Sequence, residues 1–238
     1  MCGRYRLGRG KAAFEKVFGV RPDDYEWSPR FNIAPTQIVP IVRQHSSEPQ
    51  RWLSNMRWGL VPYWATDLSI GARMINARSE DAASKPAFRE SLKKRRCLVP
   101  ADGFYEWQRA GKIRQPYCFQ LMNDSVFAFA GIWDRWKDAT GLWIETFSIL
   151  TTSPNALTSE VHDRMPVILP AEHYDLWLDP GFTNMQGVTE MLKPYDAGLM
   201  KKYPVSDRVN AVANDDAQCA EAIDLVHMAE ERPKLLFD

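Results

Sequence analysis

Hydrophobic and polar positions follow two periods along this chain, and the switches between them predict its elements. Residues 11 to 18 carry apolar side chains at helical spacing and predict a short amphipathic helix. Residues 37 to 43 and 51 to 58 read as two strands around a polar turn at 44 to 50. Pro62 and Gly71 then punctuate a loop. Residues 79 to 95 predict a helix that Pro86 breaks in two, closed by Lys93-Lys94-Arg95-Arg96 where cations complement the helix dipole. From Cys97 the pattern turns to strands, at 97 to 100, 104 to 108, 116 to 122, 126 to 132 and 143 to 152. Helices return at 155 to 161, 171 to 178 and 183 to 192. No internal repeat, low-complexity tract or Ser/Gly-rich linker interrupts residues 1–238, so the pattern predicts a single α+β domain.

Composition narrows the function. The 238 residues are 45% hydrophobic and 12% aromatic, enough for a buried core and incompatible with a disordered chain. Thirty Lys+Arg balance 30 Asp+Glu, which excludes a protein basic all over that coats duplex nucleic acid. The charge is nevertheless polarised: residues 1–114 hold 21 Lys+Arg against 11 Asp+Glu, and residues 115–238 hold 9 against 19. Either a basic face for a polyanion or two mutually attracting halves would produce this. Cys-Gly-Arg-Tyr-Arg after Met1 has no apolar signal region, and no run nears the roughly 18 apolar residues of a membrane span. A cytoplasmic setting without membrane contact is expected. Cys2, Cys97, Cys118 and Cys219 show no Cys-x-x-Cys and no His at ligand spacing, so reduced thiols are expected and neither metal nor disulfide framework.

The strongest chemical signal is Cys2 before Gly3. Removal of Met1 makes it N-terminal, combining an α-amine of pKa about 7.7 to 8.0 with a thiol near 8.5 on adjacent carbons. The thiol can attack an acyl carbon with its own amine as base, as N-terminal nucleophile hydrolases do. Alternatively the amine forms an imine with an aldehyde and the thiol closes on it as a thiazolidine. Three further segments carry chemistry. In Ile75-Asn76-Ala77-Arg78, extended backbone projects Asn76 and Arg78 to one face. Glu106 lies between Tyr105 and Trp107 in a strand-like run, where desolvation would raise its pKa and suit acid/base work. His162 and Arg164 stand two apart in Val161-His162-Asp163-Arg164-Met165-Pro166. His45, His173 and His227 read as surface or packing residues. Phe31-Asn32-Ile33-Ala34-Pro35-Thr36 and Trp58-Gly59-Leu60-Val61-Pro62-Tyr63-Trp64 are stiff aromatic segments in the basic half, a mixture that suits single-stranded nucleic acid.

Together these blocks, with Gly103-Phe104-Tyr105-Glu106-Trp107, Thr151-Thr152-Ser153-Pro154-Asn155, Val205-Ser206 and Asn214-Asp215, resemble the SRAP (SOS response-associated peptidase) family. The resemblance implies a compact α+β domain of coiled, barrel-like, mostly antiparallel sheets with peripheral helices. It also implies binding of single-stranded DNA containing abasic sites and a reversible thiazolidine between Cys2 and the ring-opened sugar, with autoprocessing of Met1. Carried over by motif, Cys2 supplies amine and thiol, Asn76 orients the N-terminus and sugar, Glu106 moves protons and His162 stabilises the opened sugar. Arg4, Arg78, Arg164 and Thr151 would hold phosphates, while Pro35, Tyr63 and Trp64 wedge against bases. Some relatives carry Trp where Tyr63 stands, which keeps the aromatic surface. No cofactor or metal is implied; a monomer is expected, nucleoid-associated when on DNA, with replication-fork partners unspecified. Two other functions fit parts of the pattern. A class II glutamine amidotransferase also begins Met-Cys-Gly, but the His-Arg-Gly and Asn-Gly-Glu strings of that family do not occur here. A noncovalent reader of modified DNA would use the aromatic pocket without Cys2.

Overall fold

The runs richest in β-branched and aromatic residues become the inner strands of a barrel. The computed structural model describes residues 2–20, 27–44, 50–111 and 113–225. Its strands are β1 (Tyr5–Leu7), β2 (Arg30–Ile33), β3 (Ile38–Gln44), β4 (Arg51–Trp58), β5 (Asn76–Arg78), β6 (Arg96–Ala101), β7 (Gly103–Ala110), β8 (Ile113–Leu121), β9 (Phe127–Lys137), β10 (Trp143–Thr152), β11 (Met165–Pro166), β12 (Ile168–Leu169) and β13 (Met200–Pro204). Five short helices flank them: α1 (Lys11–Phe18), α2 (Ser79–Ala82), α3 (Arg89–Lys94), α4 (Tyr174–Leu178) and α5 (Met185–Glu190).

β10, β4, β3, β6 and β9 pair in a ring that the β9–β10 ladder closes. The β10–β4 pair is parallel and the rest antiparallel, and closure removes edges that would otherwise pair with other chains. β5 runs parallel to β10 at Asn76↔Ile149 and Arg78↔Thr151. A second, antiparallel sheet runs β13-β8-β7-β1-β2. This is the compact α+β fold of barrel-like, mostly antiparallel sheets that the family resemblance implies. Where β6 crosses β9, a Cβ on Gly131 would lie 2.8 Å from Cys97 Sγ, so only glycine allows the strands to approach there.

The N-terminal segment is anchored in the core rather than left on the surface. β1 lies between β2 and β7, with Tyr5 opposite both Ile33 and Phe104. The buried Tyr5 ring meets Trp58 edge-on at 5.2 Å and Phe129 at 5.9 Å. Full burial of one large apolar side chain contributes about 1.5–3 kcal/mol, so this anchor holds Cys2, three residues away, near one position.

The strands at 51 to 58 and 143 to 152 and the helix at 11 to 18 match expectation, and Pro86 separates α2 from α3 as its ring chemistry requires. The predicted helix at 155 to 161 is instead a turn: Asn155 Oδ1 accepts from the Thr158 N–H, and a short 3-10 segment follows at Thr158–Glu160. The helix at 171 to 178 divides into a 3-10 turn and α4, and the last one shortens to α5 behind an Asn184 cap. Arg96 is a larger correction. It is buried in β6, where its guanidinium donates to the carbonyls of Leu92, Lys93, Trp177, Asp179 and Phe182, so it closes the end of α3 from inside the protein. His45, His227 and residues 45–49 of the polar turn lie outside the described residues.

Candidate functional site

The reactive candidates converge at the start of β1. Cys2 is fully buried, and Asn76, at the head of β5, donates from Nδ2 to the Cys2 carbonyl at 2.8 Å. Asn76 itself is aimed by Trp58, whose indole N–H donates to the carbonyl of Ile75 at 2.9 Å. The other amide atom, Asn76 Oδ1, is buried without a hydrogen-bond partner among the described residues. A buried orphan acceptor costs on the order of 1–3 kcal/mol, and such an atom is a natural acceptor for a ligand donor.

Glu106 reaches the same place from β7, where the Tyr105 N–H donates to the Arg4 carbonyl at 3.0 Å. Burial holds the Glu106 carboxyl above its ordinary range; His162 pulls it back down and Asp163 pushes it up. The Cys2 thiol is pushed up by burial first and then by the Glu106 charge. Glu106 thus lies within electrostatic reach of Cys2 on one side and of His162 on the other. The Arg164 N–H donates to His162 Nδ1 at 3.0 Å, which places the proton of the neutral ring on Nε2. Asp163 Oδ1 lies 2.9 Å from the same nitrogen.

The residues expected on phosphates divide into exposed and engaged groups. Arg78 is exposed and no ion pair holds it among the described residues. Arg164 forms a fork with Glu80, at 2.7 and 2.8 Å, and also donates to the Thr151 carbonyl at 2.7 Å. Thr151 is fully buried, so in this conformation it holds Arg164 instead of facing solvent. Arg4 is also engaged, donating to Asn32 Oδ1 at 3.0 Å and to the Val209 carbonyl at 2.7 Å.

Among the aromatic candidates, Tyr63 is 69% and Trp64 49% exposed, which leaves both rings free to stack. Their loop leaves β4 through Gly59, at φ 121°, where a Cβ would sit 2.5 Å from the Gly71 carbonyl oxygen. Pro35 is half-buried beside Thr36, whose φ of 71° is rare for a β-branched residue. Thr36 is held there from both ends: its N–H donates to the Trp58 carbonyl, and its own carbonyl accepts from Arg57 at 2.7 Å.

The profile of the family described as SOS response associated peptidase (SRAP) matches residues 1–212. The chain belongs to the SRAP family. Abasic site processing protein YoaM of Bacillus subtilis is 41% identical over 229 residues, covering 93% of this chain and 98% of that one. Abasic site processing protein HMCES of Gallus gallus is 30% identical over 266 residues, covering 94% of this chain and 79% of its own. A crystal structure from Bacteroides thetaiotaomicron superposes with a TM-score of 0.83 at 30% identity, covering 93% of this chain and all of the other.

Sequence reasoning left several residues of this SRAP site without a role. Asn32 is fully buried and donates to the carbonyls of Val209, Ala211 and Asn214 while accepting from Arg4. Asp215 accepts from the N–H groups of Phe31 and Asn32 and pairs with Arg30. The blocks around Asn32 and Asn214-Asp215 are thus two sides of one clasp that holds β2, and Arg4 is tied into it just before β1. A cavity of about 490 Å³ opens beside Gly3, lined by Arg4, Trp107, Arg114 and Asn210. Trp107 is steered there by its N–H, which donates to Asn210 Oδ1 at 2.7 Å.

Charge polarity has a partly internal explanation. Arg30–Asp215, Arg43–Glu145, Arg51–Asp175 and Arg95–Asp134 each join the basic half to the acidic half. The remaining exposed cations, Arg73, Arg78, Arg89, Lys94 and Arg114 among them, are those available to a polyanion. No helix among the described residues is long and apolar enough to cross a membrane. All four cysteines are buried and free.

Proposed function

We propose that this SRAP-family protein recognises abasic sites in single-stranded DNA and captures them covalently through Cys2 once Met1 has been removed. The observation that carries the reading is the setting of Cys2: held by Asn76 beside an orphaned acceptor, in the field of Glu106, on which His162 acts in turn, and next to a basic, aromatic cavity. The names of the relatives, abasic site processing proteins, support the same class of substrate.

The chemistry follows from these groups. The freed Cys2 amine adds to C1′ of the ring-opened deoxyribose, giving a carbinolamine. Glu106, whose carboxyl burial holds above its ordinary range, donates to the departing hydroxyl, and water and a protonated imine result. The Cys2 thiol gives up its proton to the Glu106 carboxylate as sulfur adds to the imine carbon, closing the thiazolidine. One water is lost overall, and the reverse sequence releases the sugar. Asn76 Oδ1 accepts from the amine or a sugar hydroxyl, which removes its unsatisfied state. His162 Nε2–H donates to the hydroxyl released by ring opening. Arg78, and Arg164 after exchanging Glu80 for a phosphate, hold the flanking backbone, while Tyr63, Trp64 and Pro35 stack where the strand bends.

Before Met1 is removed, the Cys2 nitrogen is an amide and its thiol is suppressed by burial. The unprocessed chain is therefore inert, and Glu106, whose charge acts on the Cys2 thiol, serves as the base for autoprocessing. Incubation of the protein with an abasic single strand, followed by denaturing electrophoresis, tests the reading. A retarded band that withstands heat and detergent and is absent with Cys2→Ala is expected; equal bands from both proteins would overturn it.

A further inference from the structure

A second basic and aromatic depression lies away from Cys2. It is a cavity of about 560 Å³ lined by Tyr63, Arg89, Lys94, Arg95, Arg135 and Trp143, with Glu90 and Asp134 at its walls. The acids are engaged: Asp134 pairs with Arg95 at 3.3 Å and Glu90 approaches Lys93 at 3.9 Å. Arg89, Lys94 and Arg135 are exposed and have no carboxylate partner among the described residues. Trp143 is 52% exposed, and the Arg135 guanidinium lies 4.8 Å from its ring centroid. Unpaired cations beside two exposed rings bind a single strand well, since rings stack on bases of any sequence and cations follow phosphates.

The position of this groove connects it to the candidate site. Tyr63 lines it while also belonging to the wedge loop. That loop is fixed across β9 and β10: the Val61 N–H donates to Thr146 Oγ1 at 2.8 Å, and the Trp136 N–H donates to the Ala65 carbonyl at 2.6 Å. β10 starts at Trp143 in the groove and reaches Thr151, opposite Arg78, eight residues later. At about 3.3 Å per residue this separates the two sites by roughly 26 Å, which several nucleotides can span.

We propose that this groove is a second DNA subsite, which takes unpaired nucleotides of the lesion-bearing strand after they pass Tyr63. The inference rests on the proposed abasic-site function and extends its footprint. Strands that reach only the Cys2 site should not use the groove, whereas longer strands should gain affinity from it. Lost base stacking on Trp143 should weaken long-strand binding about 5- to 10-fold, the low end for an aromatic platform because Arg135 already covers part of the ring. Loss of Arg89 or Arg135 should make the salt dependence shallower by about 0.7 per phosphate contact.

The test is fluorescence anisotropy with single strands of increasing length around one tetrahydrofuran lesion analogue, using the full chain and its Trp143→Ala, Trp143→Phe and Arg89→Ala/Arg135→Ala variants. Wild-type protein should bind longer strands more tightly. The Ala variants should lose that gain, and Trp143→Phe should recover most of it. Variants that keep the full length-dependent gain would overturn the groove while leaving the Cys2 chemistry intact. Losses confined to strands with a duplex flank would also overturn it, in favour of a double-stranded ligand. Equal losses on the shortest and longest strands would mean a general structural defect and overturn it as well. Failure of the wild-type protein to bind single strands or crosslink an abasic one would instead refute the underlying function, and the groove with it.

Discussion

Glu80→Gln removes the carboxylate that occupies Arg164, and its effect on DNA binding follows from the geometry of that pair. Both guanidinium Nη atoms contact Glu80, at 2.7 and 2.8 Å, and the hydrogen bonds to Arg164 hold the carboxyl at about 2 against an ordinary 4.5. Its stabilisation is therefore complete above about pH 4.5 and is lost only as pH falls towards 2, so near neutrality a competing anion and not a proton must free Arg164. Glu80 is 51% exposed and Arg164 13%, so solvent screening places the pair near the exposed range of about 0.2–1 kcal/mol. A phosphate that displaces Glu80 loses this amount. Glu80→Gln should accordingly tighten single-strand binding by up to about fivefold, the equivalent of ~1 kcal/mol. It should also steepen the salt dependence by about 0.7, because a bare guanidinium then releases a counterion of its DNA partner. Anisotropy titrations across a sodium chloride series, in a Cys2→Ala background that prevents capture, measure both quantities. In an Arg164→Ala background the Glu80 substitution should do nothing. Unchanged affinity and slope for Glu80→Gln would show that Arg164 does not receive a phosphate.

Other substitutions test separate parts of the account. Glu106→Gln should slow both capture and release by about 10² to 10⁴; because burial raises the carboxyl pKa, wild-type capture should fall as pH rises through that raised value, and stopped-time gels should show the Gln variant without this limb. The same substitution should stabilise the fold at high pH relative to wild type, since it removes a charge whose burial is unfavourable, and urea melts at two pH values measure this. Arg96→Ala orphans the carbonyls of Trp177, Asp179 and Phe182 along with those closing α3, and should cost about 3–5 kcal/mol, seen as a shift in the urea midpoint. Gly59→Ala forces a Cβ against the Gly71 carbonyl and should lower capture by misplacing Tyr63 and Trp64, read from gel yields alongside an intact circular dichroism spectrum.

The long, locally consistent elements were legible in the sequence and the short, context-dependent ones were not. Residues 51 to 58 and 143 to 152 carry enough β-forming side chains to declare themselves. β1, β11 and β12 have two or three residues each and exist because partners on β7, β9 and β10 pair with them. Asn155 reads as a helix start, but its side chain closes a turn on Thr158. Around the candidate site, residue type and spacing singled out Cys2, Asn76, Glu106 and His162 as candidates, and the structure joins Asn76 to Cys2 directly. They could not disclose how much charge is spent internally. Arg96 belongs to a cationic run yet serves five carbonyls, and Arg4 and Arg164 are committed to Asn32 and Glu80. Those partners lie 28 and 84 residues away, a separation that no local pattern encodes.

The central claim concerns which atoms of Cys2 bond to the sugar, and intact-mass spectrometry of the adduct measures it most directly. Capture of an abasic oligonucleotide should give a species whose mass equals the chain without Met1 plus the DNA minus one water. Proteolysis should localise the DNA to the peptide beginning at Cys2, with that thiol resistant to alkylation. An adduct that retains Met1, maps to a lysine or leaves the Cys2 thiol open to alkylation would contradict the thiazolidine.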